Sequence, residues 1–483
     1  MNKAESSAIE QLLLARGWSA ADSAQTADLI IINTCSVRAT AESRVNGRLG
    51  WYTALRKERC EGRPFMLAVT GCMAERLKEK IRERFPAVDY VVGNFEKERF
   101  ADIAAAAENA ARGTEDGSTA CTADDVSAGA KTNAPLFRAV SGKKAAVVQN
   151  SADPQNVLSF GDQTENDKED FPDKPAYSFA PLSLEPGAFQ AFVPIMHGCS
   201  NFCTFCIVPY VRGREISRPF AEIVKELDVL SERGVCEITL LGQNVNSYRD
   251  ADTDFAKLLI IISDHLKKNN SPIEWVRFVS SHPKDLSDAL IDAIKHNDVL
   301  CRHIHLPVQH GSTKILQAMN RCYTREHYLS LVGRIRAALP DVSLTTDVML
   351  GFPGETDEDF EETLDLMKTV RYENAFMYYY NPREGTPAAK MQNQIPLEVK
   401  KARLQKIIDM QLKITAEEMQ KRVGSTVKAL VESVSRDDEA ELLAKTERDE
   451  RVAFKAEKSL IGKFVELRLT ELSGQTFKGE LSK

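Results

Sequence analysis

The sequence predicts an α/β protein with an N-terminal parallel α/β domain, a central open (βα)6 barrel and a small C-terminal all-β barrel. Three observations support this prediction. Apolar runs of strand length alternate with helical stretches over residues 1–112, and a second such series begins at Phe189. After residue 420 the pattern changes to short β-like runs separated by glycines.

The first predicted domain covers residues 1–112 and contains continuous apolar runs that are typical of buried parallel strands. Cys35 directly follows the first of these runs, and Cys72 follows the second. Ligand sites of open α/β sheets lie beyond the carboxyl ends of their strands, so we expect both cysteines at one edge. We favour ligands over isolated core cysteines, although free cysteine is often buried. The predicted strands and helices are residues 28–33, 39–57, 65–70, 74–85 and 89–93.

Residues 113–186 interrupt this alternation. Acidic residues outnumber basic ones there, and the apolar residues have little period. Such a composition is typical of a mobile linker. We therefore predict an acidic insert and assign it no chemistry.

The central domain is predicted over residues 187–420 as strand–helix repeats, which fit an open parallel barrel. Barrels built from βα units carry their active sites at the C-terminal ends of the strands. The candidate strands are residues 189–196, 237–241, 274–279, 303–308, 343–349 and 374–380. The candidate helices are residues 220–233, 286–296, 324–338 and 356–369.

The last domain is predicted over residues 421–483, after a long charged helix at 397–423. Short β-like runs and punctuating glycines are typical of a small all-β barrel. The runs and glycines are residues 427–431, 442–445, 452–454 and 464–469, with Gly424, Gly462 and Gly474.

Composition bounds the class of protein. At 483 residues the chain is too long for one core, and its net charge of −7 argues weakly against a general nucleic-acid binder. Ten cysteines in a chain of this length do not indicate a disulfide framework and more often serve metals or clusters. There is no bilayer-length apolar run and no secretory-signal pattern, so we expect a cytoplasmic protein without membrane association.

Cys199, Cys203 and Cys206 follow the first barrel strand with the spacing Cys-x-x-x-Cys-x-x-Cys. Three thiolates in one loop can hold a 4Fe–4S cluster and leave its fourth iron without a protein ligand. That iron can chelate S-adenosylmethionine (SAM), and one electron then cleaves the sulfonium to a 5′-deoxyadenosyl radical. The alternatives are a zinc site, with His197 as the nearest further donor, and a hydrophobic cysteine cluster. We favour the cluster, because structural zinc prefers four protein ligands and a hydrophobic cluster explains neither the neighbouring glycine nor the aromatic residues.

The loop resembles the signature of the radical SAM superfamily, and the rest of the chain resembles the methylthiotransferase family. Arg-Gly-Arg-Glu-Ile-Ser-Arg-Pro, Gln-His-Gly-Ser and Gly-Phe-Pro-Gly-Glu-Thr are family-like, as is the segment 240–248. The segments 33–38 and 71–76 look like the family's N-terminal cluster domain, and the C-terminal barrel resembles the RNA-binding TRAM module. Within the family, the resemblance is greatest to enzymes that act on isopentenylated adenosine in tRNA.

This resemblance implies a tRNA methylthiotransferase. It would replace the C2–H of an isopentenylated adenosine next to the anticodon with a methylthio group, with one SAM as radical source and another as methyl donor. Family members deliver sulfur with a second 4Fe–4S cluster held by three cysteines, of which Cys35 and Cys72 match two. No catalytic residue is assigned beyond the cluster ligands. Expected partners are the tRNA anticodon stem-loop and a low-potential electron donor such as flavodoxin or ferredoxin, and we expect a monomer.

The third ligand of this auxiliary cluster is absent from the chain. The family places it in an aromatic-Gly-Cys-x-Met-Asn motif, and Met1 and Asn2 look like the end of that motif. We favour a misplaced start over a cluster that lacks one ligand. In the second case full methylthiolation would be in doubt, but SAM cleavage would not. Cys60 and Cys121 are conceivable substitutes, although neither lies at a strand end.

Polar residues at the ends of other barrel strands are candidate SAM contacts. Gly242 and Gln243 end the second strand, where a glycine would let SAM approach the backbone, although a simple turn is the alternative. Ser280 ends the third strand and could face the same pocket, together with the segments 281–282 and 309–310.

Three further sets of side chains invite a functional interpretation. Arg212, Arg214 and Arg218 could neutralise RNA phosphates, although a solvated basic loop is nearly as good a reading. Alternation places Cys301, His303 and His305 on one strand face, as in a metal site. We favour a packed strand with satisfied imidazoles there. Cys236 and Cys322 are predicted to have no role.

Two other functions remain open from the sequence. A sister enzyme would act on threonylcarbamoyladenosine in tRNA or on an aspartate of a ribosomal protein. A non-catalytic RNA-binding protein with a structural metal is the other alternative. The segment 212–219 favours the isopentenyladenosine substrate.

Overall fold

The protein is described by a computed structural model, in which the chain divides into two compact units. The first unit is Met1–Ser183 with Ile207–Gly213, and the second is Leu184–Cys206 with Arg214–Lys483. Within the described ranges, none of the helices has both the length and the apolar character that a bilayer crossing needs. The described residues are 2–36, 39–58, 65–112, 145–150, 179, 187–436 and 438–482.

The first unit is built on a five-stranded parallel sheet with the order β1-β5-β2-β3-β4. Its strands are β1 (Ser19–Ala20), β2 (Leu29–Thr34), β3 (Met66–Gly71), β4 (Tyr90–Val92) and β5 (Ala145–Asn150). Its helices are α1 (Asn2–Ala15), α2 (Ala39–Glu58), α3 (Cys72–Leu77), α4 (Lys80–Arg84), α5 (Arg99–Arg112) and α6 (Val208–Arg212).

The central strands of this sheet are buried on both faces, as their continuous apolar sequence predicts. Alternate residues of β2 enter two separate cores: Ile30 packs with α2 on one face, and Ile31 packs with α1 and α5 on the other. Every residue of β2 and of β3 is buried. Helices on both faces of a parallel sheet are the arrangement that the strand–helix alternation predicts.

Two details differ from the sequence prediction. The predicted helix 74–85 is divided into α3 and α4, because Lys78 adopts a left-handed backbone with φ 45°. The predicted insert 113–186 contributes a strand, since residues 145–150 pair in parallel with β2. The backbone donors and acceptors along that side of β2 need hydrogen-bond partners, and residues 145–150 provide them.

The second unit begins with the predicted open barrel of six parallel strands. Two three-stranded sheets, β6-β9-β12 and β13-β14-β15, are joined where Val276 bridges to Leu300. The barrel strands are β6 (Gln190–Pro194), β9 (Glu237–Leu241), β12 (Trp275–Phe278), β13 (His303–His305), β14 (Ser343–Leu350) and β15 (Asn374–Tyr379). Short strands flank them: β7 (Met196–His197), β8 (Ile216–Ser217), β10 (Arg249–Asp250) and β11 (Thr253–Asp254).

Helices connect and cover these strands, which confirms the α/β fold class. Buried apolar residues line the inner face of each of the longer barrel helices. The helices are α7 (Phe220–Glu232), α8 (Phe255–Lys268), α9 (Asp288–His296), α10 (Thr313–Ala318), α11 (Arg325–Ala338), α12 (Asp357–Val370) and α13 (Leu397–Gln420).

Gly311 shows how tightly the family-like Gln-His-Gly-Ser segment packs. A Cβ at this position would lie 2.3 Å from the Cα of Thr363 and 2.6 Å from the carbonyl oxygen of Glu362. The Gly311 amide donates to the Thr363 hydroxyl at 3.0 Å. The chain therefore touches the backbone of α12 at a point where only glycine fits.

The C-terminal residues form the predicted closed β barrel, with the strand order β16-β17-β18-β20-β19. Its core contains Val431, Phe454 and Phe477 and extends to Met419 of α13. The strands are β16 (Thr426–Val434), β17 (Glu441–Thr446), β18 (Arg451–Lys455), β19 (Phe464–Ser473) and β20 (Thr476–Leu481).

A buried polar layer fastens this small barrel to the large one. Arg277 donates to the carbonyl oxygens of Thr446 (2.7 Å) and Glu447 (2.9 Å), and its Nε lies 2.8 Å from Glu237. Lys445 reaches the same carboxylate at 2.9 Å. Burial by itself would raise the pKa of Glu237, but Arg277 and Lys445 together hold it below its usual range. The turn between β17 and β18 thus covers the N-terminal end of the barrel strands.

We predict that Gly311→Ala lowers the free energy of unfolding by about 1–3 kcal/mol, because the added methyl group must displace the α12 backbone. Gly333→Ala is the matched control, since Gly333 lies in α11 with no atom within 4 Å of its Cβ position. That change should be neutral or stabilising by about 0.5–1 kcal/mol. Thermal unfolding midpoints measure both effects. Equal midpoints for the two variants would contradict the packing described for Gly311.

Candidate functional site

The loop with Cys199, Cys203 and Cys206 follows β7 at the C-terminal end of the first barrel strand. Cys203 is buried, and the other two cysteines are half-buried. The Cys206 amide donates to the Cys203 carbonyl at 2.9 Å, which closes a turn between two of the thiols. Phe202, just before Cys203, has a left-handed backbone with φ 47°. A tight loop rather than a regular element therefore carries all three sulfur atoms.

The end of α10 holds this loop from outside. The Thr204 hydroxyl donates to the Ala318 carbonyl at 2.9 Å, and the Thr204 amide donates to the Met319 carbonyl at 3.1 Å. The Asn320 side chain donates to the carbonyl oxygens of Asn201 (3.3 Å) and of the neighbouring Phe202 (3.1 Å). The backbone around the cysteines is thus anchored by hydrogen bonds to another element of the same unit.

Arg321 is a buried partner of the loop that sequence reasoning missed. Its Nη1 lies 3.4 Å from the Cys203 sulfur, and its Nη2 donates to the Pro307 carbonyl at 2.9 Å. Its Nε donates to the Tyr323 hydroxyl at 3.1 Å. Burial alone would lower the pKa of Arg321, but Tyr323 and Cys203 raise it above its usual range. Arg321 and Cys203 are 118 residues apart, so no local spacing could reveal the pair.

The donor set of the loop fits an anionic cluster. Burial raises the pKa of the Cys199 thiol to about 11, and the nearby Glu215 and Cys203 charges act in the same direction. A metal or cluster that binds there must displace that proton, as thiolate coordination requires. The Arg321 cation beside Cys203 suits a negatively charged ligand. The roles of the three cysteines as cluster ligands stay predictions.

The strand with Cys301, His303 and His305 is packed in the way that the sequence favoured. His303 Nε2 and His305 Nδ1 each lie 2.9 Å from the Thr345 hydroxyl. His305 Nε2 also lies 3.6 Å from Asp347. Over the part of the chain that the structure describes, no three His, Cys, Asp or Glu side chains gather as a single metal ion would need. These imidazoles thus have protein partners.

The second and third barrel strands end in a group of buried polar atoms. The buried side-chain atoms Gln243 Oε1, Ser281 Oγ and His282 Nε2 have no hydrogen-bond partner among the described residues. Ser280, which has φ 69°, accepts a backbone hydrogen bond from Val245 at 3.2 Å and so joins the two loops. Unpaired buried polar atoms are uncommon, and a polar ligand is one way to satisfy them.

Gly242 has a packing explanation that the sequence did not show. A Cβ there would lie 2.5 Å from Cγ of Met196 and 3.0 Å from its sulfur. The glycine therefore makes room for a side chain of β7, directly before the cysteine loop. Its predicted contact with SAM stays a prediction, as do those of Gln243 and Ser280.

His282 is held in one tautomer. Its Nδ1 accepts the Lys284 amide at 3.3 Å, so the neutral ring carries its proton on the unpartnered Nε2. Burial, followed by the Arg321 and Lys284 charges, lowers the pKa of His282 to about 2. The ring packs edge-on against Tyr323, with centroids 5.7 Å apart. His282 is therefore a neutral hydrogen-bond donor at the strand ends.

In the first unit, the structure places Cys35 and Cys72 at the same sheet edge, as expected. Thr34 pairs with Gly71, and each cysteine comes next in its chain segment. Cys72 is buried at the start of α3, and Cys35 is half-buried. Their role as cluster ligands stays a prediction. Cys60 and Cys121 lie outside the described residues.

The three arginines that were predicted to bind phosphate have different surroundings. Arg212 is buried beside Glu5 (2.9 Å) and the Cys72 sulfur (3.2 Å). Arg218 is buried beside Glu226 at 2.5 Å. Arg214 is exposed and lies over the Phe202 ring at 5.5 Å. The burial of Arg212 and Arg218 argues against phosphate binding by these two, and the prediction for Arg214 stays open.

Three parts of the chain match known families. Residues 193–367 match the radical SAM superfamily, and residues 420–482 match the TRAM domain. Residues 1–93 match an uncharacterized protein family, UPF0004.

Curated relatives cover the chain from end to end. A tRNA-2-methylthio-N(6)-dimethylallyladenosine synthase of Treponema denticola is 47% identical over 100% of this chain and 98% of its own length. A protein of the same name from Treponema pallidum is 47% identical over 100% of this chain and 96% of its own length. Another, from Carboxydothermus hydrogenoformans, is 40% identical over 98% of this chain and 94% of its own length. Among solved structures, the chain is similar to the radical SAM methyltransferase TsrM of Kitasatospora setae, with 15% identity, a TM-score of 0.46 and coverage of 75% and 74% of the two chains.

We predict that the second unit loses stability as the pH falls below about 6.5, the pKa of an unfolded histidine. Burial, followed by the Arg277 charge, lowers the pKa of His303 to about 3, and that of His282 is about 2. The unfolded chain therefore binds two protons that the folded chain does not. The contribution of these two histidines to stability should be constant above about pH 7, and below it should fall by up to about 1.4 kcal/mol per pH unit for each histidine.

Urea unfolding between about pH 7 and about pH 5 measures this slope. His303→Asn should make it shallower, whereas the exposed His296→Asn is the control and should leave it unchanged. An identical slope in His303→Asn and the unsubstituted protein would show that His303 does not have the lowered pKa.

Proposed function

The chain belongs to the family of the tRNA-2-methylthio-N(6)-dimethylallyladenosine synthases, and on that premise we propose that it adds a methylthio group to C2 of this adenosine in tRNA. Dimethylallyl is the isopentenyl group expected from the sequence. The observation that carries the proposal is the 47% identity over 98% of a relative with this name. The relatives do not favour the sister substrates.

The radical SAM superfamily implies a 4Fe–4S cluster and SAM. We assign Cys199, Cys203 and Cys206 to that cluster, because they share one anchored loop beside the Arg321 cation. When bound, the cluster supplies the electron that splits SAM. The protein's own contribution would be to hold the thiolates and to balance their charge.

The polar strand ends next to this loop are proposed to bind SAM. Gln243, Ser281 and His282 offer buried atoms without partners among the described residues, and Ser280 joins the two loops that carry them. His282 would donate from Nε2, since its Nδ1 is occupied by the Lys284 amide. A ligand with amino, carboxylate and ribose groups suits donors and acceptors of this kind.

A second cluster is proposed at the sheet edge of the first unit, with Cys35 and Cys72 as ligands. The paired positions of Thr34 and Gly71 support it, because they bring both cysteines to one edge. This cluster would take part in sulfur delivery.

The partners follow from the same family. We propose tRNA as substrate, through the anticodon stem-loop, and the TRAM match over residues 420–482 supports contact with RNA. A low-potential donor such as flavodoxin or ferredoxin would reduce the cluster of a monomeric enzyme. We propose a cytoplasmic location, where tRNA is modified.

The nucleosides of tRNA test the substrate. A strain that lacks this gene should lose 2-methylthio-N6-isopentenyladenosine and accumulate N6-isopentenyladenosine, because the C2 position stays unsubstituted. Mass spectrometry of digested tRNA measures both. Re-expression of the chain should restore the lost nucleoside, and re-expression of Cys199→Ala should not. Unchanged nucleosides in the deletion strain would exclude this substrate.

Iron binding and SAM cleavage test the cysteine loop. After anaerobic reconstitution and reduction, the protein should convert SAM to methionine and 5′-deoxyadenosine. Cys203→Ala should abolish cleavage and lower the iron content by about four atoms per chain, because the cubane loses a thiolate ligand. Cys322→Ala is the control, since Cys322 is exposed and outside the loop. Full cleavage by Cys203→Ala would refute the assignment.

A further inference from the structure

Arg321 differs from the other buried arginines that the structure describes. Each of the others contacts a carboxylate at ion-pair distance, whereas Arg321 contacts the Cys203 sulfur. The carboxylate pairs are Arg212 with Glu5, Arg218 with Glu226, Arg277 with Glu237, Arg403 with Glu355 and Arg448 with Glu373.

The remaining contacts of Arg321 are neutral. It donates to the Pro307 carbonyl and the Tyr323 hydroxyl, and no Asp or Glu oxygen among the described residues lies at ion-pair distance from it. A buried cation without an anion is strongly unfavourable. The Cys203 sulfur is the contacting atom that can carry the compensating negative charge, as a thiolate bound to metal.

From this charge balance we propose that Arg321 is a positioning residue for the iron–sulfur cluster: it donates a hydrogen bond to the Cys203 thiolate and raises the reduction potential of the cluster. The inference rests on the proposed function, because it takes Cys203 as a cluster ligand. Tyr323 orients the guanidinium group of Arg321. The Tyr323 hydroxyl accepts a hydrogen bond from Arg321 Nε and donates one to the Val308 carbonyl at 2.8 Å.

The direction of the effect follows from electrostatics. Reduction adds one negative charge to the cluster and its thiolates, and a fixed cation in a dry site stabilises the more negative state. Hydrogen bonds to ligand sulfurs and local charge are known determinants of cluster potentials. Removal of the guanidinium should therefore make the cluster harder to reduce.

The first unit contains a contact of the same kind at a candidate ligand. Arg212 Nε lies 3.2 Å from the Cys72 sulfur. Glu5 lies 2.9 Å from Arg212 and 2.8 Å from Lys97, so it pairs with both cations. Burial by itself would raise the pKa of Glu5, but Arg212 and Lys97 hold it well below its usual range.

The test is a redox titration of the reconstituted full-length protein, followed by electron paramagnetic resonance of the reduced cluster. Arg321→Gln should shift the midpoint potential of the SAM-binding cluster to a more negative value. Arg321→Lys should give a smaller shift in the same direction, since it keeps the charge and loses the planar donor. Arg448→Gln is the matched control, because Arg448 is also buried but pairs with Glu373.

Several outcomes separate the proposals. An unshifted midpoint in Arg321→Gln with full iron content would overturn the inference and leave the proposed function intact. Absence of iron from the unsubstituted protein would instead overturn the proposed function. If Arg321→Gln fails to fold, the midpoint potential of the Tyr323→Phe variant tests the inference instead. The Tyr323→Phe variant keeps the guanidinium group of Arg321 but removes the hydroxyl that orients it. A negative shift of the midpoint potential that is smaller than expected for Arg321→Gln therefore supports the inference, and an unchanged midpoint contradicts it.

Discussion

Parallel strand pairing is the constraint on which both units depend. Parallel strands need helical crossovers, so each strand runs in the same direction and ends at the same edge of its sheet. In the first unit this brings the residues after Thr34 and Gly71 together. In the second, the loops after β7, β9 and β12 all leave from the C-terminal ends of the strands. The candidate chemistry lies where the hydrogen-bonded ladder stops.

The two ends of the large barrel differ in how their buried polar groups are hydrogen-bonded. At the N-terminal end, Arg277 and Lys445 share the Glu237 carboxylate, and Arg277 also satisfies carbonyl groups of the β17–β18 turn. At the C-terminal end, one buried polar atom in each of three side chains has no hydrogen-bond partner among the described residues. These side chains are Gln243, Ser281 and His282. At the first end, the buried charges of Arg277, Lys445 and Glu237 have partners that fasten the two barrels together. The second has unsatisfied polar groups and is therefore suited to a ligand.

Buried charge connects this scaffold with its chemistry. A guanidinium group keeps its proton in nearly any environment, so its burial requires an anion or a set of good acceptors. Carboxylates meet this requirement for Arg277 and Arg403, which fasten secondary-structure elements to one another. A cysteine sulfur takes part for Arg212 and Arg321. Carboxylates thus meet this need in two places, and a cysteine sulfur contacts the guanidinium group in two others.

The sequence by itself determined the fold class, most of the strands and the cysteine loop, because these depend on periodicity and on residues close together in the chain. It also placed Cys35 and Cys72 at strand ends. Only the tertiary structure paired Arg321 with Cys203 and Arg212 with Cys72, across 118 and 140 residues. Only it moved Arg212 and Arg218 from predicted phosphate contacts to buried ion pairs, and residues 145–150 into a sheet. Charge pairing between residues far apart in sequence is a property of the packed chain, and no local pattern of residues encodes it.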